Sequence, residues 1–209
     1  MLFRSTPYAD ITVGAVWSDW QHYPQGTPFD FSSIVDSTGV NGFTLAFIQE
    51  GGKCLPAWAG TASLAADDKV HWGVELANRF RSKNIPYYLS FGGAAGTDLA
   101  YGCGTDANLA NAYERVYKTY YPNGFDYDIE GVLQLDKVAT GRIINAIKIF
   151  QNNRKNVSIS FTLPVMPDGL TAACQDLLKV AKNQGVEFNV NIMAMDYGSG
   201  YDKIGRAHV

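Results

Sequence analysis

Short apolar runs of period-two character alternate with segments of helical spacing along almost the whole chain, and few folds satisfy that order. The β-type runs are residues 11–17, 42–49, 85–91, 125–130, 157–165 and 188–197. Between them, residues 31–38, 69–83, 108–120, 135–152 and 170–183 carry apolar side chains at three- and four-residue steps, the pattern of a helix laid on a sheet. Such alternation predicts a parallel sheet with helical crossovers. An open doubly wound sheet would usually show a Gly-rich phosphate loop after an early strand, and no G-x-G-x-x-G occurs. The glycine-dense strand end Ser90-Phe91-Gly92-Gly93-Ala94-Ala95-Gly96 lacks that spacing and the lysine of a P-loop. The expected fold is α/β, a (β/α)8 TIM barrel that is incomplete. Six units in 209 residues is about 35 per unit, and eight would need roughly 280, so two are expected to be missing.

Charge and composition narrow the partners. With 17 Lys+Arg against 20 Asp+Glu and no basic block, neither nucleic acid nor an anionic membrane surface is expected. No uninterrupted apolar run reaches the roughly 18 residues of a spanning helix, and an aromatic content of 13% disfavours disorder. A monomer is expected. The first seven residues show neither an apolar h-region nor a cleavage site, so the chain is either intracellular or lacks its true beginning. Cys54, Cys103 and Cys174 match no zinc spacing and the three histidines are scattered, so no metal and no cofactor are expected. Cys54 and Cys103 follow neighbouring strands and could pair in an oxidising compartment, whereas Cys174, on a helix, reads as core.

The segment Asn123-Gly124-Phe125-Asp126-Tyr127-Asp128-Ile129-Glu130-Gly131 carries the chemistry. Successive strand side chains point to opposite faces, so Phe125, Tyr127 and Ile129 share one face and Asp126, Asp128 and Glu130 the other. With the apolar set against the helices, the three acids face the barrel interior. Same-face neighbours lie roughly 6.5–7 Å apart, so the three cannot all ionise cheaply and at least one proton is retained near neutral pH. Glu130, at the C-terminal strand end and with the longest reach, is the expected general acid; Asp128 accepts hydrogen bonds, and Asp126 shares a proton with it. A calcium-hand loop from Asp126 requires Glu at its twelfth position, which is Lys137. A solvated edge strand is the plainer alternative, against which stand the neighbouring apolar runs.

These residues resemble the family-18 glycoside hydrolases, the chitinase family, whose fourth barrel strand carries Asp-x-x-Asp-x-Asp-x-Glu. Asp126, Asp128 and Glu130 match its last three acids, and Asn123 replaces the first. In that family the first acid mainly supports strand packing. The family's Ser-x-Gly-Gly on the preceding strand is matched by Ser90-Phe91-Gly92-Gly93, where Ser90 could hydrogen-bond Asp126. Its Met-x-Tyr-Asp motif on the sixth strand corresponds to Met193-Ala194-Met195-Asp196-Tyr197, with Tyr197 displaced by two residues but kept by alternation on the face of Met193 and Met195. The plainer alternative for Tyr197 is a strand-end residue that only lines the core.

The resemblance implies hydrolysis of chitin or N-acetylglucosamine oligosaccharides by a substrate-assisted retaining mechanism. Glu130 would act as acid and then base, Asp128 would orient the acetamido group, Asp126 would tune Asp128, and Tyr197 would donate its hydroxyl. Ser90, Gly92, Gly93, Met193, Met195 and Asp196 would line the substrate site. Trp17, at the end of the first strand, and Trp58, after the second, are the expected sugar platforms, since flat apolar ring faces cover sugar C–H surfaces. Trp72 reads as packing and Trp20 carries no assignment. Residues 1–203 would be a partial catalytic barrel from a secreted parent, and 204–209, Ile-Gly-Arg-Ala-His-Val, read as a translated sequencing adapter. The other classes are a sugar-binding lectin on the same barrel and an inactive fragment with an unpaired edge.

Overall fold

The computed structural model describes residues 6–13, 15–16, 26–67 and 72–197. Among them the strands are β1 (Tyr8–Asp10), β2 (Phe43–Glu50), β3 (Pro56–Trp58), β4 (Tyr87–Gly92), β5 (Gly124–Asp128), β6 (Ser158–Met166), β7 (Gly169–Leu170) and β8 (Asn189–Met193). The α-helices are α1 (Val35–Thr38), α2 (Val74–Ser82), α3 (Leu99–Cys103), α4 (Asp106–Tyr120), α5 (Lys137–Asn153) and α6 (Ala172–Asn183).

Parallel pairing runs β1–β2–β4–β5–β6–β8 in strict chain order. β3 and β7 fold back antiparallel on β2 and β6. Each crossover steps in the same direction, so right-handed connections put the helices on one face of the sheet. A doubly wound sheet reverses its strand order and covers both faces. The order is therefore that of the (β/α)8 barrel. The sheet is not closed among the described residues, and β1 and β8 are its two ends.

The acidic strand splits its faces as alternation requires. Phe125 packs on Phe150 of α5 at 5.1 Å between ring centroids, and Tyr127 meets Tyr113 of α4 at 5.3 Å and Phe91 of β4 at 5.4 Å. Each such pair adds about 0.5–1.5 kcal/mol beyond its buried area. Parallel register then sets Asp126 beside Ser90 and Ser160, and Asp128 beside Gly92 and Thr162, on the opposite face.

Capping chemistry shifts several expected boundaries. The first strand is Tyr8–Asp10 rather than 11–17, because Asp10 Oδ1 accepts from Thr12 N, Val13 N and Thr12 Oγ1 and turns the chain there. Trp17 and Trp20 lie outside the described residues, as do residues 204–209. The last strand ends at Met193 rather than 197, with Asp196 in the left-handed region at φ 54°. The 31–38 helix is divided into a 3-10 turn, Phe31–Ser33, and α1. α3, capped by the Asp98 carboxylate on Ala100 N, and the β3 and β7 returns were not expected. α4, α5 and α6 start where Thr105, Asp136 and Thr171 accept from the free N–H groups of their first turns.

Candidate active site

Asp126 is the fixed point from which the site is built. It is 1% exposed, and its carboxylate gathers donors from four other strands. Oδ2 accepts from Tyr8 Oη of β1 and from Ser90 Oγ of β4 at 2.9 Å. Oδ1 accepts from Ser160 Oγ at 2.5 Å and Thr162 Oγ1 at 2.9 Å of β6, and from Asn191 Nδ2 of β8 at 3.4 Å. Burial pushes its carboxyl up, and the hydroxyls of Ser160, Tyr8, Thr162 and Ser90 pull it back down.

Asp128 differs in kind. It is 4% exposed, yet its Oδ1 is buried with no hydrogen-bond partner among the described residues. Burial, then the nearby charges of Glu130 and Asp126, push its carboxyl up to about 8. Glu130, just past the end of β5 and half-buried, is also raised by burial. Desolvation thus weighs on both carboxyls, and more on Asp128, the more buried of the two. No hydrogen bond joins Asp126 to Asp128 among the described residues, so the expected sharing of a proton between them is replaced by saturation of Asp126 from its other neighbours.

Asp128 and Glu130 border a cavity of about 590 Å³ at the C-terminal end of the strands. Tyr8, Phe47, Ala94, Thr162, Asn191 and Met166 line it, together with the expected Met193, Met195, Asp196 and Tyr197. Tyr197 therefore reaches the site, although alternation does not bring it there, since the strand has ended four residues earlier. A recess of about 80 Å³ on the other flank of Glu130 is lined by Gly92, Gly93 and Ala94. Gly92 (φ 99°) packs so closely on β5 that a Cβ would lie 2.2 Å from Asp128 O, and Gly93 N donates to that oxygen at 3.1 Å. This close approach is the physical use of the paired glycines.

Two expected assignments change. Ser90 is fully buried and spent on Asp126, beneath the cavity and without a surface for substrate. Asp126 lies below the cavity wall, deeper than Asp128 as expected, with the expected hydrogen bond from Ser90, and its charge helps to raise the Asp128 carboxyl. Trp58, placed by β3 against β2, is 0% exposed; its ring stands edge-on to Tyr120 at 5.8 Å and its Nε1 donates to Tyr120 Oη at 2.9 Å. It is core and presents no free face for a sugar. Trp72 packs as expected, with its Nε1 on Gly26 O at 2.9 Å. Asn123, standing where the family motif has its first Asp, accepts from Tyr87 N at 3.0 Å through Oδ1 and so supports the strand pair.

Tyr8, Ser160, Thr162 and Asn191 were missed. The signal for two of them is visible afterwards: Ser158, Ser160 and Thr162 alternate with Ile159, Phe161 and Leu163, a polar face of the same period as the acidic strand. Cys54 and Cys103 form a disulfide that ties the loop after β2 to the end of α3, and Cys174 is buried and free. Among the described residues no cluster of three or more His, Cys, Asp or Glu is arranged for a metal ion, and no helix is long and apolar enough to cross a membrane.

No family model matches the chain. It is 31% identical over 203 residues to a probable bifunctional chitinase/lysozyme of Escherichia coli (strain K12), covering 92% of this chain and 20% of that protein. It is 30% identical over 198 residues to endochitinase 11 of Metarhizium anisopliae, covering 92% of this chain and 35% of that protein. The chain thus spans between a fifth and about a third of the curated relatives it matches. The catalytic domain of a hyperthermophilic chitinase from Pyrococcus furiosus superposes with a TM-score of 0.74 at 29% identity, covering 92% of this chain and 57% of that one. Catalytic-site mutants of active domain 2 of a thermostable chitinase from the same organism, complexed with chito-oligosaccharides, give 0.72 at 30% identity with the same coverage. At 17% identity, and so for the fold alone, a family GH18 chitinase from Chromobacterium violaceum gives 0.59 over 88% of this chain and 49% of that one.

Proposed function

From the premise that this chain is a member of the family-18 glycoside hydrolases, we propose that the protein carrying it hydrolyses β-1,4-linked N-acetylglucosamine polymers by a substrate-assisted, retaining mechanism. Glu130 protonates the glycosidic oxygen while the substrate's own acetamido oxygen attacks the anomeric carbon and forms an oxazolinium ion. Glu130, now ionised, then deprotonates the water that opens that ion. This scheme is outside the usual two-carboxylate arrangement, so the separation of the acids carries no stereochemical information. Asp128 orients the acetamido N–H and stabilises the positive charge that develops there, Asp126 holds Asp128 through the strand they share, and Tyr197 donates its hydroxyl to the acetamido oxygen.

The observation that supports this reading above the others is the unpartnered, buried Oδ1 of Asp128 beside a cavity shared with Glu130. A buried carboxyl oxygen with no protein partner is costly to keep and leaves a place where a ligand can supply the missing group. Met193, Met195 and Asp196 would bound the sugar, and Gly92 and Gly93 would flank the leaving side of Glu130. A chito-oligosaccharide is the proposed substrate, and the Cys54–Cys103 disulfide favours an extracellular setting.

Turnover of a chitin oligosaccharide by the full-length protein and by its Glu130→Gln variant is the test. A loss of about 10²–10⁴-fold in kcat is expected for removing a general acid. Equal turnover by the two proteins refutes the acid role, and tight binding with no turnover by the unaltered protein makes it a lectin.

A further inference from the structure

Gln49, one residue before the end of β2, is 7% exposed and absent from the cavity wall. Its Nε2 donates to Gly92 O at 2.7 Å and to Ala95 O. Both amide hydrogens are spent on carbonyls three residues apart, so one side chain closes the Gly92–Ala95 turn. The fit leaves no room: a Cβ on Gly96 would lie 2.2 Å from Gln49 Oε1. Glu50 N donates to Thr97 O at 2.9 Å and holds the far side of the same segment.

That turn leans on the site. Gly93 N is bonded to Asp128 O, and Gly92 packs on the same oxygen. A Cβ on Gly93 would come within 3.0 Å of the Phe47 ring, which lines the cavity. Ala94 borders both the cavity and the recess, on the two flanks of Glu130.

We infer that Gln49 is a positioning residue: acting through the Gly92–Ala95 turn, it sets the place of Asp128 in the cavity wall. The inference rests on the glycosidase reading for its effect on turnover, but not for its effect on the Asp128 carboxyl itself. The titratable groups around Asp128 are Asp126 and Glu130 on its own strand and just past its end, Tyr8 from β1, Asp98 at the recess, and Asp196 and Tyr197 after β8. A substitution at Gln49 changes none of these residues, so a moved titration reports the turn.

The test uses the full-length protein with Gln49→Met, which keeps the side-chain length and removes both donors, and with Gln49→Leu, which removes the amide at similar volume and adds no charge. The Asp128 carboxyl is titrated by NMR, with its signal assigned against Asp128→Asn, and kcat and KM on a soluble chito-oligosaccharide are followed with pH. A slackened turn that lets Asp128 move toward the cavity reduces its desolvation and should lower its titration by about one pH unit. Misplacement of the acid should cost about tenfold in kcat with KM held within about twofold. Unchanged titration and kcat in the folded variants overturn the inference even if the melting temperature drops, because that pattern is packing alone. Failure of both variants to fold makes Gln49 a folding residue and overturns it equally. Absence of turnover in the unaltered protein defeats the glycosidase reading by itself, and the titration still decides the role of Gln49.

Discussion

Asp126 and Asp128 are the same side chain, two residues apart on one strand and one face, yet their surroundings are opposite. Around Asp126, five donors from β1, β4, β6 and β8 fill both oxygens. Around Asp128 one oxygen has no partner among the described residues, and beyond it lies a cavity. The lower region converts a buried charge into a joint between strands, and the upper one leaves a buried carboxyl unsatisfied. The difference teaches that depth along a barrel strand, rather than residue type, divides support from chemistry.

The comparison breaks most sharply at Asp128. Asp128→Asn should lower kcat about 10²–10³-fold, as loss of one preorganised electrostatic contact does, with thermal stability near neutral pH held or raised; paired steady-state and melting measurements check both. The same variant reads the pH dependence of folding. Asp128 titrates near 8 in the folded protein and near 4 unfolded, so the native state binds the extra proton between those values. Stability should therefore fall as pH rises from about 4 to about 8, the sign opposite to that of a salt-bridged acid. Asp98, raised by burial to about 6, adds to the same slope over its lower part. Denaturant melts across that range should show a flatter profile in Asp128→Asn.

At the lower region the expectation reverses. Asp126→Ala should cost about 3 kcal/mol or more of stability, since it strands several buried donors at once, and equilibrium denaturation measures it. Ser160→Ala, which removes one of the five donors, should cost only about 1 kcal/mol in the same measurement and leave kcat within about twofold. A Ser160→Ala effect as large as that of Asp126→Ala would mean that the network is cooperative rather than a sum of contacts.

Much of this contrast was legible in the chain before its structure. Period-two alternation put Asp126 and Asp128 together and Phe125 and Tyr127 against the helices, and the strand–helix order announced the parallel barrel sheet. What escaped depended on chain ends and on depth. The turn that Asp10 makes moved the first strand and hid Tyr8, whose hydroxyl reaches Asp126 from the far end of the described sheet. The left-handed Asp196 ended β8 early, so Tyr197 reaches the cavity by a loop rather than by alternation. Trp58 gave no local sign of burial, because its cover comes from Tyr120 of α4, sixty-two residues away.

The amino-acid order alone determined which side chains share a face, since the geometry of an extended strand is local and needs no partner. It also determined the direction in which the sheet grows, through the hand of the crossovers. Only the tertiary structure decided which of the clustered acids is saturated with donors and which has an oxygen without a partner among the described residues. That outcome depends on desolvation and on donors delivered by distant strands, and neither exists until the sheet has assembled.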